Sequence, residues 1–475
     1  MTTWFSRRRW LLLIVAGVLA LFVVAACGDD DDDGLDEPAA TEEPAETQVV
    51  VEAPCEGGAG VLGHTGPAGV SASGLQDADD LVIGVLVPST GALSTFGPDY
   101  INAANLAAKC LNNAGGVNGG RVVIVTGDTA TAPEQGVTEA ERLVSIEGVV
   151  AIMGAASSGV SLAVAESVTI PNEVILISPA STSPALTDLE DNDLVFRTPI
   201  SDAAQGVVLA QLVADDLGLT SVCTLFVNNA YGQGLSGVFS EAFEDLGGTV
   251  TAAVPHDDAE AISFNAELNE CAAGDPEALI AISYPTGQAT VYLREALEGG
   301  IIDNFVFVDG TRENDIFDEL GWDDFDGMLG TAPGTLQSDL GEAFDDAFAA
   351  EFGELYSSPF VREAFDAIIA LGLAAQAAGT NTDSLAIRDS LRDTSNAPGT
   401  VFGPSGDDII AALAAVAAGD DIDYQGASGS VDFNDEGDIT FGAIEVWRVD
   451  AENEEFVVER RVSVDLATGE ILDLD

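Results

Sequence analysis

From Leu81 onward the chain alternates short, continuous apolar runs with longer amphipathic stretches, and no other feature restricts its fold so strongly. The run Leu81-Val82-Ile83-Gly84-Val85-Leu86-Val87-Pro88 is too short for a core helix and too evenly apolar for a half-exposed strand. Such runs form strands covered on both faces, as in a parallel sheet with helices on each side. The pattern predicts strands at 81–88, 121–128, 149–154 and 174–179, with helices over 98–115, 133–148 and from 155 to about 170. After 195–206 the series restarts, with strands at 221–229, 249–255, 278–285, 305–310 and 328–334 separated by helices. A third section is mainly helical over 338–353, 358–379 and 383–396, and 430–475 returns to strands and turns. Two successive α/β sets predict two similar lobes, with the chain crossing between them more than once. The expected division is a leader over 1–26, an acidic linker over 27–80, and a first lobe over 81–200 that 335–415 rejoins. The second lobe spans 201–334, with 416–475 at the hinge and second lobe.

Ahead of the lobes, Arg7, Arg8 and Arg9 precede the uncharged run Trp10–Ala26, which is shorter than the roughly 20 residues a membrane span needs. A basic start, a short apolar core and small residues before a break describe a secretory signal. Val24-Ala25-Ala26-Cys27 has the look of a bacterial lipobox, in which Cys27 takes the lipid and becomes the first residue after cleavage. The alternative is an N-terminal anchor helix with an incidental cysteine. Five aspartates follow Gly28, and like charges keep such a segment extended. A coil of roughly 50 residues spans on the order of 40 Å, so a lipid-anchored domain would stay near the membrane. The expected location is the extracytoplasmic face of the cell membrane.

The chain carries a formal charge of −66, with 81 acidic and 15 basic residues, and Lys109 is its single lysine. Phosphate contacts need Lys and Arg, so nucleic acid is not an expected partner. The acidity fits a saline habitat, where salt screens self-repulsion, or a codon bias toward Ala, Gly and Asp. With Cys27 set aside, four cysteines remain in an oxidising compartment, which favours two disulfides in one of three connectivities. Cys223 lies in a predicted strand and Cys271 ends the helix feeding a nearby one, so Cys223–Cys271 is expected, leaving Cys55–Cys110.

Ligands of open parallel sheets bind beyond the carboxyl ends of the strands. Strand 149–154 runs into Ala155-Ala156-Ser157-Ser158-Gly159, and strand 174–179 into Ala180-Ser181-Thr182-Ser183-Pro184. Each cluster alone reads as helix capping; on two neighbouring strand ends, their hydroxyls and free N–H groups suit a carboxylate. In the second set, Asp309 follows four apolar residues and emerges from a buried strand. A carboxylate there needs a positive partner or several donors. Arg312 or a helix N-terminus would serve, and so would a ligand ammonium. Donors on one lobe and an acceptor on the other describe a site for an α-amino acid. The stretch Val431–Asp438 invites a calcium-loop reading, but its twelfth position counted from Asp432 is Ala443 rather than Glu, which leaves a hairpin turn.

Six stretches occur in order: IGVLVPSTGALSTFG, LNNAGGVNGG, ISPASTSPALT, VFRTP, NNAYGQGL and GPSGD…DYQGASGSVDFNDEGD. Through them the chain from about 81 to 450 resembles the branched-chain amino acid (Leu/Ile/Val) binding proteins of ABC transporters. The resemblance implies a type I periplasmic-binding fold: two Rossmann-like lobes with parallel sheets flanked by helices, joined by a multi-strand hinge. It also implies that Ser157, Ser158 and Gly159, with Ser181 and Thr182, take the ligand's carboxylate and part of its ammonium. On the same basis Asp309 takes the ammonium, Tyr284 is the aromatic before proline, Phe96 and Tyr231 match family aromatics, and Phe360 lines the side-chain pocket. Asp309 stands where Glu is frequent, and 155–159 departs from the family's pattern in length.

The function expected is therefore selective capture of an amino acid or related small zwitterion between closing lobes, and delivery to a membrane permease. The chain is expected to act as a monomer, without cofactor or metal. A receptor of the same fold signalling through a partner is the alternative. An enzyme is not expected. The only histidines are His64, in the linker, and His256; no G-x-S-x-G elbow or metal-spaced cluster occurs. The Gly-rich stretch 115–120 follows a helix rather than a strand, which disfavours a phosphate cradle.

Overall fold

The computed structural model describes residues 79–473 apart from 260, 336–338, 354 and 467. Cys27, Cys55 and the leader therefore lie outside the described residues. The first sheet is wholly parallel and contains β1 (Leu81–Val87), β2 (Val122–Asp128), β3 (Ala151–Gly154), β4 (Ile175–Ser178) and β5 (Val195–Arg197) in the order β2-β1-β3-β4-β5. Its strands follow the period of two. Ile83, Val85 and Val87 enter one core together with the helices Phe96–Asn113 and Val361–Ala378, while Leu86 enters another under Pro133–Arg142 and Ser158–Val164. Both faces are covered, and this accounts for the unbroken apolar runs.

The second sheet contains β6 (Ser221–Val227), β7 (Thr249–His256), β8 (Ala278–Ile282), β9 (Phe305–Phe307) and β10 (Leu329–Gly334), all parallel. It alternates in the same way: Ile280 and Val306 face one core, and Leu279 and Phe307 the other. A short parallel pair, β11 (Thr400–Phe402) with β12 (Ile422–Tyr424), stands apart. The late strands β13 (Phe441–Asp450), β14 (Glu455–Asp465) and β15 (Glu470–Asp473) join the second sheet antiparallel to β10 and to one another. The order is β15-β14-β13-β10-β9-β8-β6-β7.

Several expectations shift in detail. The predicted strands 278–285 and 305–310 end early, at Ile282 and Phe307, because Pro285 opens a helical turn and Asp309–Thr311 forms a 3₁₀ turn. The helix Gly406–Ala418 was not anticipated. Ser405 caps it by accepting the Asp408 N–H at 3.2 Å, and Gly419 closes it at φ 81°. The stretch Val431–Asp438 closes through a Phe433–Ile439 bridge, and Asp438 is used by Arg197, so the hairpin alternative holds. Cys223 of β6 and Cys271 of the helix Asn265–Ala272 form a disulfide with Cα atoms 5.5 Å apart. Cys110 is buried and disulfide-bonded, and Cys55 of the expected pair lies outside the described residues.

Candidate functional site

The carboxyl ends of both sheets face a common interior space. From the first sheet come the loop after β1 (Leu93, Phe96), the turn after β3 (Ala156, Ser158) and Ala180 after β4; from the second come Tyr231, Tyr284, Asp309 and Gly310. Together with Phe360, these residues line a small cavity. The lobes touch around it. The Ser157 and Tyr284 hydroxyls are 3.0 Å apart, the Ser183 hydroxyl donates to Ala230 O at 2.8 Å, and Thr286 N donates to Ala92 O at 3.2 Å.

Most of the predicted residues converge here, with differing roles. Phe96, Ser158, Tyr231, Tyr284, Asp309 and Phe360 line the cavity itself. Ser157 is buried beside it and reaches across to Tyr284. Thr182 is fully buried, and its hydroxyl has no partner. Ser181 departs from the expectation: it does not line the cavity. Its hydroxyl meets Ser161 Oγ at 2.8 Å and the carbonyls of Ala155 and Ala156 at 3.2 Å, and its N–H donates to Ser178 Oγ at 2.9 Å. Ser181 thus ties the two turns together. Gly159 also stays off the wall: a Cβ there would stand 3.6 Å from that of Asn229. Its place in the first helical turn, with Ser158, leaves N–H groups outside the helical ladder.

Asp309 is the centre of the second-lobe half. Its Oδ1 accepts the Tyr231 hydroxyl at 2.8 Å and Gln205 Nε2 at 2.9 Å. Arg312, the nearby partner the sequence offered, does not reach it. That guanidinium pairs with Glu445 at 3.2 Å and lies 6.0 Å from the Trp447 and Phe456 ring centres. Burial raises the Asp309 pKa against these two neutral donors. Tyr231 stacks on Tyr284 with centroids 5.7 Å apart and planes 11° apart, so two phenol rings stand beside the carboxylate.

Sequence reasoning missed Asp202 and Gln205, one turn apart on the helix Asp202–Gln211. Asp202 is fully buried and neither of its oxygens has a hydrogen-bond partner; Gln205 Oε1 is likewise unpaired. Burial and the charge of Asp309 push the Asp202 carboxyl well above the ordinary range. The neighbouring Thr182 hydroxyl and the Arg197 charge oppose that shift. The nearby Arg197 is spoken for: its guanidinium donates to Asp438, to Ser183 O at 2.8 Å and to Thr187 Oγ1 at 2.8 Å. Asp202 follows the VFRTP stretch, and an acid placed straight after the helix cap Ser201 reads as ordinary N-terminal charge, so nothing local marks it. Among the described residues no group of three or more His, Cys, Asp or Glu is placed to hold a metal ion.

Two parallel-sheet lobes closed on a small cavity, with hydroxyls on one side and carboxylates on the other, match known proteins directly. A sequence profile described as periplasmic binding protein covers residues 80–424. The chain belongs to the periplasmic binding protein family. Among curated family relatives, Leu/Ile/Val-binding protein homolog 3 of Brucella melitensis is 35% identical over 170 residues, 35% of this chain and 45% of that protein. The chain thus matches less than half the length of that relative. Leu/Ile/Val-binding protein homolog 1 of Brucella abortus is 29% identical over 313 residues, 64% of this chain and 80% of that protein. Among solved structures, the leucine-binding protein LivK of Thermotoga maritima superimposes with a TM-score of 0.67 at 24% identity, covering 80% of this chain and 98% of its own. The branched-chain amino acid transporter substrate-binding protein LivJ of Streptococcus pneumoniae, in complex with isoleucine, gives 0.65 at 21%, covering 83% and 100%. A solute-binding protein of an ABC transporter from Rhodopseudomonas palustris, in complex with 3,4-dihydroxybenzoic acid, gives 0.64 at 19%, covering 82% and 98%. These likenesses establish the type I periplasmic-binding fold.

Proposed function

We propose that this protein captures a small α-amino acid between its lobes and delivers it to a membrane permease, held at the membrane by lipid on Cys27. The observation that carries the reading is the pair of buried carboxylates, Asp309 and Asp202, neither of them ion-paired with a cation among the described residues. Two buried acids at one site favour a ligand that brings its own positive charge. An ammonium satisfies Asp309 and Asp202 together. The Ser158 and Thr182 hydroxyls and the N–H groups of the first turn after β3 receive the carboxylate. Leu93, Phe96, Ala156, Ala180 and Phe360 surround the side chain. The family's solved members include complexes with isoleucine and with an aromatic acid. An aromatic acid has no ammonium and would leave both carboxylates unsatisfied, so an amino acid is favoured.

A ligand that binds only the folded form raises the melting temperature. The test is thermal unfolding of the protein against a panel of α-amino acids, matched deaminated acids and benzoates. The expected result is a shift from at least one amino acid and none from its deaminated counterpart. Asp309→Asn should lower that affinity by about 10- to 100-fold, as loss of a charge-assisted hydrogen bond would. A benzoate that stabilises the protein, with no amino acid doing so, would overturn the reading.

A further inference from the structure

Thr182, Asp202, Gln205 and Asp309 form one buried polar cluster beside the ligand cavity. Asp202 N donates to Thr182 O at 2.8 Å, and Gln205 stands one turn beyond Asp202 on the same helix. Gln205 Nε2 donates to Asp309 Oδ1 at 2.9 Å and to Thr331 O at 3.2 Å. None of the four residues is more than 4% exposed. The cluster is rich in acceptors and short of donors: both Asp202 oxygens, Gln205 Oε1 and Thr182 Oγ1 have no hydrogen-bond partner. An ionised carboxylate only accepts, whereas a protonated one also donates. One proton on the pair therefore relieves the donor shortage and the excess charge together. Two buried like charges at one site raise each other's pKa, and such a pair keeps one proton between its two macroscopic values. The neighbours do not supply a cation instead. Arg197 acts on Asp202 through its charge alone, since its guanidinium donates to Asp438 at 2.6 Å and to Ser183 O at 2.8 Å. Arg312 pairs with Glu445. Tyr231, Tyr284 and Tyr100 are buried phenols whose pKa burial raises, so they stay neutral. Glu313 and Glu363, on the far side of Tyr100, are acids as well. Burial raises the pKa of both aspartates, and the Asp309 charge adds to the rise at Asp202.

We propose that the unliganded protein holds one proton on the Asp202–Asp309 pair and that capture is an exchange, in which the ligand's ammonium enters and that proton leaves to solvent. This rests on the amino-acid reading above and adds a proton stoichiometry to it. The ammonium brings three N–H donors and a positive charge in place of one O–H, so both carboxylates become ionised and more of the unpartnered oxygens are served. No bond of the ligand breaks; the proton passes from a carboxyl oxygen to water and on to the buffer. The sign of the pH dependence follows. Where the pair holds its proton, binding releases about one, and affinity rises about tenfold per pH unit. Above the pair's upper pKa no proton is left to release, and affinity levels off.

The test is calorimetric titration of the protein with the α-amino acid that stabilises it most, in pairs of buffers of differing ionisation enthalpy, which counts the protons released. Somewhere between about pH 5 and pH 8 the count should reach at least about 0.5, and the slope of log affinity against pH should equal it. Asp202→Asn keeps the shape of the group without its titration and should cut the count by at least half. Glu313→Gln and Glu363→Gln, which change the other interior acids, should leave it as in the wild type. Infrared difference spectra of the wild type read the same event without a variant: a protonated-carboxyl band should disappear as the amino acid binds. Binding with a count below about 0.5 throughout that range overturns the exchange and leaves the amino-acid reading standing. So does a count that Asp202→Asn leaves unchanged, or one that Glu313→Gln or Glu363→Gln abolishes. Should Asp202→Asn fail to fold or to bind, a carboxyl band that persists in the liganded wild type overturns the exchange. A wild type that binds no α-amino acid overturns that reading, and the exchange with it.

Discussion

At the scale of single residues, burial raises the pKa of several carboxyl groups in the interior. Glu313 and Glu363 show this as clearly as the Asp202–Asp309 pair. Glu313 is 2% exposed with one oxygen unpartnered; burial, followed by the charges of Asp315 and Asp99, pushes its pKa to about 8. Burial does the same to Glu363, with Asp366 and Glu445 adding to it against Arg362. Both values lie above the ordinary 4.5, so the folded protein holds more protons than the unfolded chain between these limits. The stabilisation they contribute is complete below the unfolded value and is lost as pH rises through about 8. Stability should fall by about 1 kcal/mol per pH unit per group across that window. Urea denaturation at pH 6 and pH 8 should show a smaller loss in Glu313→Gln and Glu363→Gln than in the wild type. Equal losses in all three would contradict this. These acids were not legible in the sequence, because in a chain this acidic nothing local separates a buried Glu from its solvated neighbours.

At the scale of elements, strands were legible wherever both faces are buried, since Ile, Val and Leu then fill every position. Their ends were less so: Asp309 was read inside a strand because its four preceding residues are apolar, yet it opens a 3₁₀ turn that presents its carboxylate to Tyr231 and Gln205. The helix Gly406–Ala418 carries two local signals, its cap and terminal glycine. The Cys223–Cys271 bond fastens that helix-and-strand unit, β6 and Asn265–Ala272, across a sequence separation of 48. Closing a loop of that length restrains the unfolded chain by about 4 kcal/mol in the chain-entropy account. The double variant Cys223→Ala/Cys271→Ala should lose stability of about that size in denaturant unfolding. A loss below about 1 kcal/mol would mean that packing around Cys223 and Leu268 already holds the unit without the bond.

On the scale of the whole molecule, a charge of −66 acts against compaction. Going from about 0.1 M to 1 M salt shortens the screening length from about 10 Å to about 3 Å. The melting temperature should therefore rise with sodium chloride over this range, and a flat or falling response would show that the acidic surface carries little strain. Inside the fold the same acidity acts differently: the Asp99 charge adds to the burial that keeps Glu313 protonated up to about pH 8. Contacts such as Ser157–Tyr284 join the lobes, and a bound zwitterion would add to them.

By itself the sequence determined the two-sheet architecture, because strands buried on both faces leave an apolar signature that needs no knowledge of neighbours. It also determined which turns meet at the site, because the carboxyl ends of parallel strands lie on one edge. Only the tertiary structure decided which of those polar residues face the cavity. Ser158 does and Ser181 does not, a difference made by hydrogen bonds between turns 20 or more residues apart. It also decided that Arg312 turns toward Glu445 and leaves Asp309 without a cation, and that Asp202 lies buried beside it. Charge pairing and burial depend on distances across the fold, and those distances have no local trace in the chain.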